Sequence, residues 1–371
     1  MLKDNVYFFI GTEAELIKVF TVIIECQKNG SICHIIASGQ NDLKKSRILE
    51  EICLEGKYIE LSSEADIKKS AVGLLGWFVT TLFRAKRNIY SHFTKEMVNG
   101  KRLIVHGDTV STLMGAIIGK LLNMEVCHVE AGLRSHNWLN PFPEEIDRML
   151  TSRLARIHFA PGEEPTKNLV NVKGQVVDTK LNTIFDSLLY SQTMPIATKK
   201  LEEIMQNDYF VFVMHRQENL MNKDFVKQVV DRITKIAENK KCILVLHKIT
   251  ENTLSEMGLL ENLKLNPNFI LVPRVDYFDF MKLLNNASYV MTDGGSNQEE
   301  LCYMGKPCLI LRNTTERKEG IGENAVMFNG DVEQILNFAD VYEKYKTDGV
   351  KAEQRPSKII ADCICGRNLN S

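Results

Sequence analysis

Ten short apolar runs alternate with amphipathic helical stretches along this chain, and that alternation restricts the folds open to it. The first run is VYFFIG at residues 6–11, and the last is PCLILR at residues 307–312. The runs are continuously apolar, which is typical of strands covered on both faces. Repeated strand, helix and strand predicts right-handed βαβ crossovers and a doubly wound parallel sheet.

The alternation extends through two halves of similar length. A chain of 371 residues is also too long for one ordinary hydrophobic core. We therefore predict an α/β fold with two Rossmann-like domains facing a central cleft, the first over residues 1–179 and the second over residues 180–355. In open sheets of this kind, ligands bind beyond the carboxyl ends of the strands.

Charge and hydropathy exclude several classes of partner. The formal net charge is −1, so the sequence predicts no broad attraction to nucleic acid or to an anionic membrane. The most apolar stretch, residues 71–83, is shorter than the about 20 residues that span a bilayer. The N-terminal apolar run is short and carries charge on both sides, unlike a signal peptide. We expect neither nucleic acid nor a membrane as a partner.

Cysteine usage and missing motifs argue against a metal or a cofactor. The nine cysteines lie mostly inside apolar runs and form no CxxC pair, which is typical of reduced thiols in a cytoplasmic protein. The chain also lacks HExxH, a GxGxxG after the first strand and GxxxxGK[ST], which disfavours a zinc site, a nicotinamide site and a P-loop. We expect a cytoplasmic protein that uses no metal and no cofactor.

Polar residues cluster at the ends of five predicted strands, drawn from both halves of the chain. Turns and helix caps alone can explain polar residues at one strand end, but they rarely place such residues at five strand ends. Because parallel strands present their carboxyl ends at one edge of the sheet, these residues are the candidate site. The residues that follow the five strands are Asp108, Glu130 with Arg134, His215, His247, and the segment from Asp293 to Glu300.

The segment TDGGSNQEE predicts an anion site at a helix N-terminus. A helix capped by Ser296 or Asn297 would offer free N–H groups to a diphosphate, and Gly295 permits close approach of the backbone. Glu299 or Glu300, expected in the first turn, can accept hydrogen bonds from ribose hydroxyls. The alternative is a plain capped helix whose acidic residues suit its dipole.

Three carboxylates lie near strand ends or at a helix start. Acidic groups that converge in a cleft can have raised pKa values and act as acid or base, which makes Asp108, Glu130 and Glu144 candidates. The alternative is an ion-pair network with Arg134 and Arg148, and both descriptions can hold together. His215, a lone histidine at a strand end, is open between an acid, a phosphate donor and a structural residue.

The motifs HVEAGLRS, NPFPEEIDR, VHGDT, MHRQEN and TDGGSNQEE, followed by GKPCLILRNTTER, resemble those of the non-hydrolysing UDP-N-acetylglucosamine 2-epimerase family. The matches lie in order from residue 11 to about 330. The resemblance implies the glycosyltransferase-B architecture, with the nucleotide sugar in the cleft. It also implies that a C-terminal helix, residues 356–371, returns to the first domain.

The resemblance further implies interconversion of UDP-GlcNAc and UDP-ManNAc by elimination. A base removes the C2 proton while UDP leaves C1 by anti elimination, and the resulting 2-acetamidoglucal regains a proton and UDP. Asp108, Glu130 and Glu144 match the family's acidic catalytic residues, and His215 matches its catalytic histidine.

The remaining matched positions imply substrate binding. Arg148 matches a diphosphate contact, and Lys18 matches a family lysine near the first-domain face of the cleft. The positions that resemble contacts to uridine, phosphate and ribose are His247, Gly295, Ser296 and Glu300. A UDP-sugar is thus the expected partner. The resemblance also implies a role in making surface polysaccharide, and we expect a homodimer formed through first-domain helices such as 71–95.

Two departures from the family pattern keep alternatives open. Glu13 stands where the family's GTRPEAIK has arginine, and SGQND at residues 38–42 lacks a histidine and an arginine that help to form an allosteric UDP-GlcNAc site. The alternatives are epimerisation of another UDP-2-acetamido sugar, a hydrolysing variant that releases ManNAc, a glycosyltransferase on the same fold, and an inactive nucleotide-sugar sensor.

Overall fold

The computed structural model describes residues 4–63, 71–137, 142–315 and 317–366. The chain divides into two compact units. The first comprises the described residues of Met1–Ser187 and of Glu353–Ser371, and the second comprises those of Leu188–Ala352. The domain limits of 179 and 355 remain a prediction, because a compact unit is not by itself an independently folding domain.

The first unit is built on a seven-stranded sheet in which the pairs are parallel. Its spatial order is β3-β2-β1-β4-β5-β6-β7, so the order reverses next to the first strand. The strands are β1 Asn5–Ile10, β2 Ile32–Ala37, β3 Tyr58–Glu60, β4 Arg102–His106, β5 Glu125–Val129, β6 Ile157–Ala160 and β7 Gln175–Asp178. Its helices are α1 Glu13–Lys28, α2 Arg47–Ile52, α3 Ala71–Tyr90, α4 Lys95–Val98, α5 Val110–Leu121, α6 Glu144–Leu154, α7 Glu163–Asn168 and α8 Ile184–Thr193, the last of which continues into the second unit.

The second unit repeats this plan with a six-stranded parallel sheet of order β10-β9-β8-β11-β12-β13. The strands are β8 Tyr209–Val213, β9 Lys241–Leu246, β10 Phe269–Pro273, β11 Val290–Thr292, β12 Cys308–Ile310 and β13 Ala325–Met327. Its helices are α9 Lys199–Ile204, α10 Gln217–Met221, α11 Lys223–Ala237, α12 Lys248–Glu256, α13 Leu260–Leu265, α14 Tyr277–Asn286, α15 Gly295–Met304 and α16 Glu333–Val341.

The two parallel sheets confirm the predicted fold class, and each of the ten apolar runs contains a strand. Three strands were missed, namely β3, β7 and β13. All three are short strands at the edges of their sheets and are only partly buried, so they carry few consecutive apolar residues. No helix among the described residues is long and apolar enough to cross a membrane.

The C-terminal helix α17, Pro356–Ile364, packs on α1 within the first unit. The hydroxyl groups of Thr21 and Ser357 lie 2.7 Å apart at this contact. Asp186, which is buried, accepts a hydrogen bond of 2.7 Å from the Ser357 amide and also pairs with Arg355. One carboxylate therefore holds the start of α17.

Helix α3 carries an exposed apolar stripe on the side away from the core. Its inner face buries Trp77, Ala85 and Ile89. The stripe follows a spacing of three or four residues, which places its members on one face of the helix. It consists of Val72, Leu75, Val79 and Phe83.

Replacement of Asp186 by alanine should loosen the start of α17. The change leaves the Ser357 amide and the Arg355 guanidinium without their shared acceptor, and hydrogen bonds to charged groups contribute about 1.5–3 kcal/mol. We expect the free energy of unfolding in urea to fall by about 2–3 kcal/mol. Lys358→Ala on the exposed face of the same helix is the control. Equal unfolding midpoints for the two variants would contradict this assignment.

Candidate active site

The first turns of α1 carry two side chains of the site in the first unit, Glu15 and Lys18. Thr12 caps α1 by accepting a hydrogen bond of 3.2 Å from the Glu15 amide. The buried Glu15 carboxylate accepts 2.7 Å from the Gly11 amide and 2.5 Å from the Thr109 hydroxyl, and burial raises its pKa. Lys18 lies one turn farther along α1, so this network fixes the helix that carries it.

Glu130 is the centre of a buried polar cluster at the end of β5. The Lys18 ammonium donates to both of its oxygens, at 2.8 and 2.7 Å, and Asn182 donates at 2.8 Å. His106 Nε2 lies 3.0 Å from Glu130 Oε2. The backbone of Glu130 has a φ of +61°, a left-handed conformation that is uncommon for residues other than glycine. The structure therefore brings together Lys18 and Glu130, two of the candidate residues.

Asp108 and Arg148 form a second cluster beside the first. Arg148 donates to Asp108 Oδ2 through Nε at 2.9 Å and Nη2 at 2.6 Å, and it reaches Glu145 at 3.2 Å. Glu145 also accepts from the Ser135 amide at 3.0 Å. A side chain at Gly107 would approach Glu130 Oε2 to 3.9 Å, so the Asp108 turn adjoins Glu130. Of the predicted ion pairs, the one between Asp108 and Arg148 is present; Glu145, which was not among the three candidates, joins it, and Glu130 pairs with Lys18 instead.

The start of α6 holds two carboxyl groups that this network leaves incompletely bonded. Glu144 Oε2 and Asp147 Oδ2 are buried and have no hydrogen-bond partner among the described residues. Burial, and then the negative charges of Asp108 and Glu144, raises the pKa of Asp147 to about 7. Sequence reasoning missed Asp147, which reads there as one more acidic residue in a first helical turn.

In the second unit, Asp293 organises the loop that follows β8. Its fully buried carboxylate accepts hydrogen bonds from the amides of His215 and Arg216, at 3.0 and 2.9 Å, and from Asn219 Nδ2 at 3.0 Å. The His215 ring stacks on that of His247, with centroids 4.5 Å apart. The two candidate histidines are therefore neighbours at adjacent strand ends.

The two histidines are held in an environment that favours their neutral forms. Burial lowers the pKa of His215, and the negative charge of Asp293 opposes that effect. Burial, followed by the charges of His215 and Arg274, lowers the pKa of His247 to about 4. His215 Nδ1 lies 3.3 Å from Asp293 Oδ1 but makes no hydrogen bond among the described residues.

Helix α15 begins at Gly295, as the glycine motif suggested, but its predicted cap is wrong. Gly294 occupies the N-cap position, and neither Ser296 nor Asn297 caps the helix. Asn297 instead donates 3.2 Å to Glu300 Oε2. The prediction that Glu299 and Glu300 lie in the first turn is also wrong, because the first turn contains no acidic residue.

A side chain at position 294 would crowd Asn297 and His215. A Cβ there would lie 2.4 Å from Asn297 Oδ1 and 3.2 Å from His215 Cε1. The Glu299 carboxylate forms an ion pair with Arg317 and accepts a hydrogen bond of 3.0 Å from the Tyr303 hydroxyl. Gly295, Ser296 and Glu300 therefore share the first two turns of α15, beside the His215 loop.

The candidate residues fall into one set in each unit. Lys18, Asp108, Glu130, Glu144 and Arg148 belong to the first unit, and His215, His247, Gly295, Ser296 and Glu300 belong to the second. Within the described residues, no group of histidine, cysteine, aspartate or glutamate is arranged to hold a metal ion. The first set can move protons, and the second can bind an anion with backbone N–H groups.

The paired parallel sheets define the class of protein. A glycosyltransferase of kitacinnamycin matches with a TM-score of 0.60 and 10% identity, over 98% of this chain and 99% of that one, which shows the fold alone. Together with the two parallel-sheet α/β units, this likeness defines a glycosyltransferase-B type of fold.

The family follows from closer matches. Residues 25–356 match the model of the UDP-N-acetylglucosamine 2-epimerase family. A UDP-N-acetylglucosamine 2-epimerase of Methanocaldococcus jannaschii is 31% identical over 341 residues, 88% of each chain. The crystal structure of that organism's UDP-GlcNAc 2-epimerase with UDP-GlcNAc and UDP matches with a TM-score of 0.75 and 27% identity, over 98% of this chain and 99% of that one. The chain belongs to the UDP-N-acetylglucosamine 2-epimerase family, a family of carbohydrate isomerases.

Replacement of Asp293 by asparagine should disorganise the His215 loop. The asparagine NH2 group would face N–H donors of His215, Arg216 and Asn219, which now bond to the Asp293 carboxylate. Each hydrogen bond to a charged group contributes about 1.5–3 kcal/mol. We expect the free energy of unfolding to fall by about 3 kcal/mol, measured by urea titration. Asp224→Asn, an exposed change on α11 of the same unit, should have no effect. A variant as stable as the wild type would refute the role given to Asp293.

Proposed function

We propose that this protein is a UDP-N-acetylglucosamine 2-epimerase that interconverts UDP-GlcNAc and UDP-ManNAc without hydrolysing them. Family membership supports the substrate class. The observation that carries the proposal is the buried acidic site of the first unit, where Glu130 is bonded to Lys18 and adjoins the Asp108 turn. A site of this kind suits proton transfer at carbon, which glycosyl transfer does not need.

The proposed chemistry is an elimination followed by an addition. A carboxylate accepts the C2 proton, the C2–H electrons form the C1–C2 double bond, and the C1–oxygen bond breaks with its electrons leaving on UDP. The 2-acetamidoglucal then takes a proton on the opposite face of C2 as the UDP oxygen re-forms the bond to C1. The C2 proton is weakly acidic, so departure of UDP must accompany its removal.

The acidic groups of the first unit are proposed to move the protons. Glu144 retains a carboxyl oxygen without a partner among the described residues, which suits direct exchange with C2. Glu130 is held by Lys18 and Asn182, and Asp108 is held by Arg148, so these carboxylates are fixed in position. Arg148 and Lys18 are proposed to supply positive charge near the diphosphate.

The strand-end residues of the second unit are proposed to bind UDP. Gly295 and Ser296 offer backbone N–H groups at the start of α15, where the helix dipole favours an anion. Glu300 would accept hydrogen bonds from the ribose hydroxyls, and His247 would contact the nucleotide. His215 would stabilise charge on the departing UDP oxygen. This arrangement applies donors where negative charge develops during the reaction.

We propose a cytoplasmic enzyme, because its nine cysteines are free thiols, as expected in a reducing compartment. An activated N-acetylmannosamine-type sugar would serve surface polysaccharide synthesis.

Product analysis tests the proposal. The purified protein is incubated with UDP-GlcNAc, and the anomeric proton signals are followed by NMR. We expect UDP-ManNAc to appear, with the sugar still attached to UDP. Release of ManNAc and UDP would identify a hydrolysing enzyme. Turnover of a different sugar in a panel of UDP-2-acetamido sugars, with none of UDP-GlcNAc, would show that the substrate is wrong.

Three substitutions test the proposed roles within that assay. Asp108→Asn, Glu130→Gln and His215→Ala should each lower turnover about 10²–10⁴-fold, the range typical for loss of acid–base or leaving-group assistance. Circular dichroism verifies that each variant is folded. Glu163→Gln, an exposed change in the first unit, is the control and should be fully active. Near-normal turnover by Glu130→Gln would remove Glu130 from the mechanism.

We propose in addition that the protein is a homodimer formed through the α3 stripe. Phe83 is 84% exposed and Leu75 is 63% exposed, and a twofold axis can pack the same stripe against itself. Light scattering after size exclusion should give twice the chain mass of 42.3 kDa for the wild type.

A double variant tests this interface. Leu75→Asp with Phe83→Asp places charge in the stripe and should yield the monomer mass, because unpaired charges are costly to bury. Val170→Asp, at an exposed apolar residue outside the stripe, should leave the dimer intact. A monomeric wild type, or a dimer that survives the double change, would contradict the proposed interface.

A further inference from the structure

Three cysteines from separate parts of the first unit meet where the C-terminal helix α17 packs on α1. Cys26 lies near the end of α1, Cys33 lies at the start of β2, and Cys365 is the C-cap residue of α17. All three are free thiols. They lie outside the set of residues proposed to act in the epimerisation, so that reaction gives no reason for their meeting.

The end of α17 is held against the turn that follows α1. Asn29 Nδ2 donates a hydrogen bond of 3.0 Å to Asp362 Oδ1. Ser31 Oγ lies 3.3 Å from Cys365 Sγ. The start of α17 is also bound, through the hydroxyl contact with α1 described above. Contacts at both ends of the helix therefore fix the position of the Cys365 thiol beside α1.

The thiols of Cys26 and Cys365 are within hydrogen-bonding reach of each other. Hydrogen bonding with Cys33 and with Cys365, followed by burial, raises the pKa of Cys26 well above its usual value. The contact with Cys26 is in turn the largest of the effects that lower the pKa of Cys365 to about 6. Cys26 is therefore the proton donor of this contact, and the Cys365 sulfur is the acceptor. A disulfide requires two sulfurs that face each other across packed elements in this way.

The two thiols differ in access and in reactivity. Cys26 is fully buried, whereas Cys365 is only half-buried and can be reached by a small molecule. Hydrogen bonds from Ser31 and Asn29 and the positive charge of Arg102 also lower the pKa of Cys365, and burial opposes them. At neutral pH the Cys365 sulfur is therefore mainly a thiolate, which is the form that attacks a disulfide.

We infer that Cys365 and Cys26 are an oxidant-sensitive thiol pair, which a small-molecule disulfide such as oxidised glutathione converts into a disulfide bond that fastens α17 to α1. The structure described above, with both thiols free, is the reduced form. This chemistry is separate from the proposed epimerisation. Disulfides of cytoplasmic proteins are usually transient, and a reducing thiol would restore this pair.

The exchange takes two steps. The Cys365 thiolate first attacks one sulfur of the small disulfide, so that a mixed disulfide forms on Cys365 and one small thiolate leaves. Cys26 then gives its proton to that thiolate, and its sulfur attacks the Cys365 sulfur, which releases the second small thiolate. Two electrons thus pass from the protein to the small disulfide, which ends as one thiol and one thiolate.

Peptide mapping of the full chain after incubation with oxidised glutathione at neutral pH tests the inference. We expect a digest made without reductant to contain the Cys26 peptide joined to the Cys365 peptide. Treatment with dithiothreitol should return both peptides as free thiols. A wild type that keeps both thiols free, or that carries glutathione on Cys365 beside a free Cys26, would overturn the inference.

Two single changes assign the roles, with circular dichroism to verify that each variant is folded. Cys26→Ala removes the second attacking sulfur, so a mixed disulfide with glutathione should remain on Cys365. Cys365→Ser removes the first, so Cys26 should stay a free thiol. Cys53→Ser, at an exposed cysteine of the same unit, is the control and should form the joined peptides as readily as the wild type. Cys26 oxidised in Cys365→Ser, or Cys365 unmodified in Cys26→Ala, would contradict these roles.

Urea unfolding tests whether the bond fastens the helix. A bond between Cys26 and Cys365 closes a loop that contains most of the chain, which restricts the unfolded state. We therefore expect oxidation to move the unfolding midpoint of the wild type to a higher urea concentration. The midpoint of Cys365→Ser should be the same with and without oxidised glutathione. A joined wild type with the midpoint of the reduced protein would refute the fastening of α17.

Discussion

The buried ion pair between Lys18 and Glu130 is the interaction on which the first unit's site depends. It joins α1 to the end of β5, and Asn182 bonds the same carboxylate from the segment before α8. Removing one partner of a buried pair costs about 3–5 kcal/mol because the other charge is left unpaired. Three separate stretches of chain are thus tied to one carboxylate, and the left-handed backbone at Glu130 is held in place by the contacts around it.

This constraint divides the acids of the first unit into two kinds. Glu130, Asp108 and Glu145 are bonded to cations or amides, which fixes their positions. Glu144 and Asp147 each retain a buried oxygen without a partner in the residues described. One part of the cluster therefore sets the geometry and the other can exchange protons, although all five belong to one acidic site.

Much of the fold could be predicted from the sequence, because continuous apolar runs mark buried parallel strands wherever they are long enough. The strands β3, β7 and β13 lie at sheet edges and are only partly buried, so they give that signal weakly. The glycines after β11 correctly indicated the start of α15, but the cap depends on backbone geometry that Ser296 and Asn297 do not reveal in sequence.

The candidate site was predicted in part for similar reasons. Strand ends identified the residues, since parallel strands end at a common edge, whereas their partners depend on packing. The sequence left Asp108 open between a free acid and an ion pair, and the structure pairs it with Arg148. The stacking of His215 on His247 requires β8 and β9 to be neighbours, which only the strand order establishes. Asp147 was missed because its burial and its unbonded oxygen leave no mark on the sequence.

The central claim is that carboxyl groups of this protein exchange a proton with C2 of a UDP-sugar. Mass spectrometry of UDP-GlcNAc recovered from an incubation in D2O tests it most directly, because removal of the proton and its return from solvent exchange hydrogen for deuterium at that carbon. The account predicts one deuterium at C2 in both epimers, with UDP still attached. Interconversion that leaves the original hydrogen on C2 would contradict it.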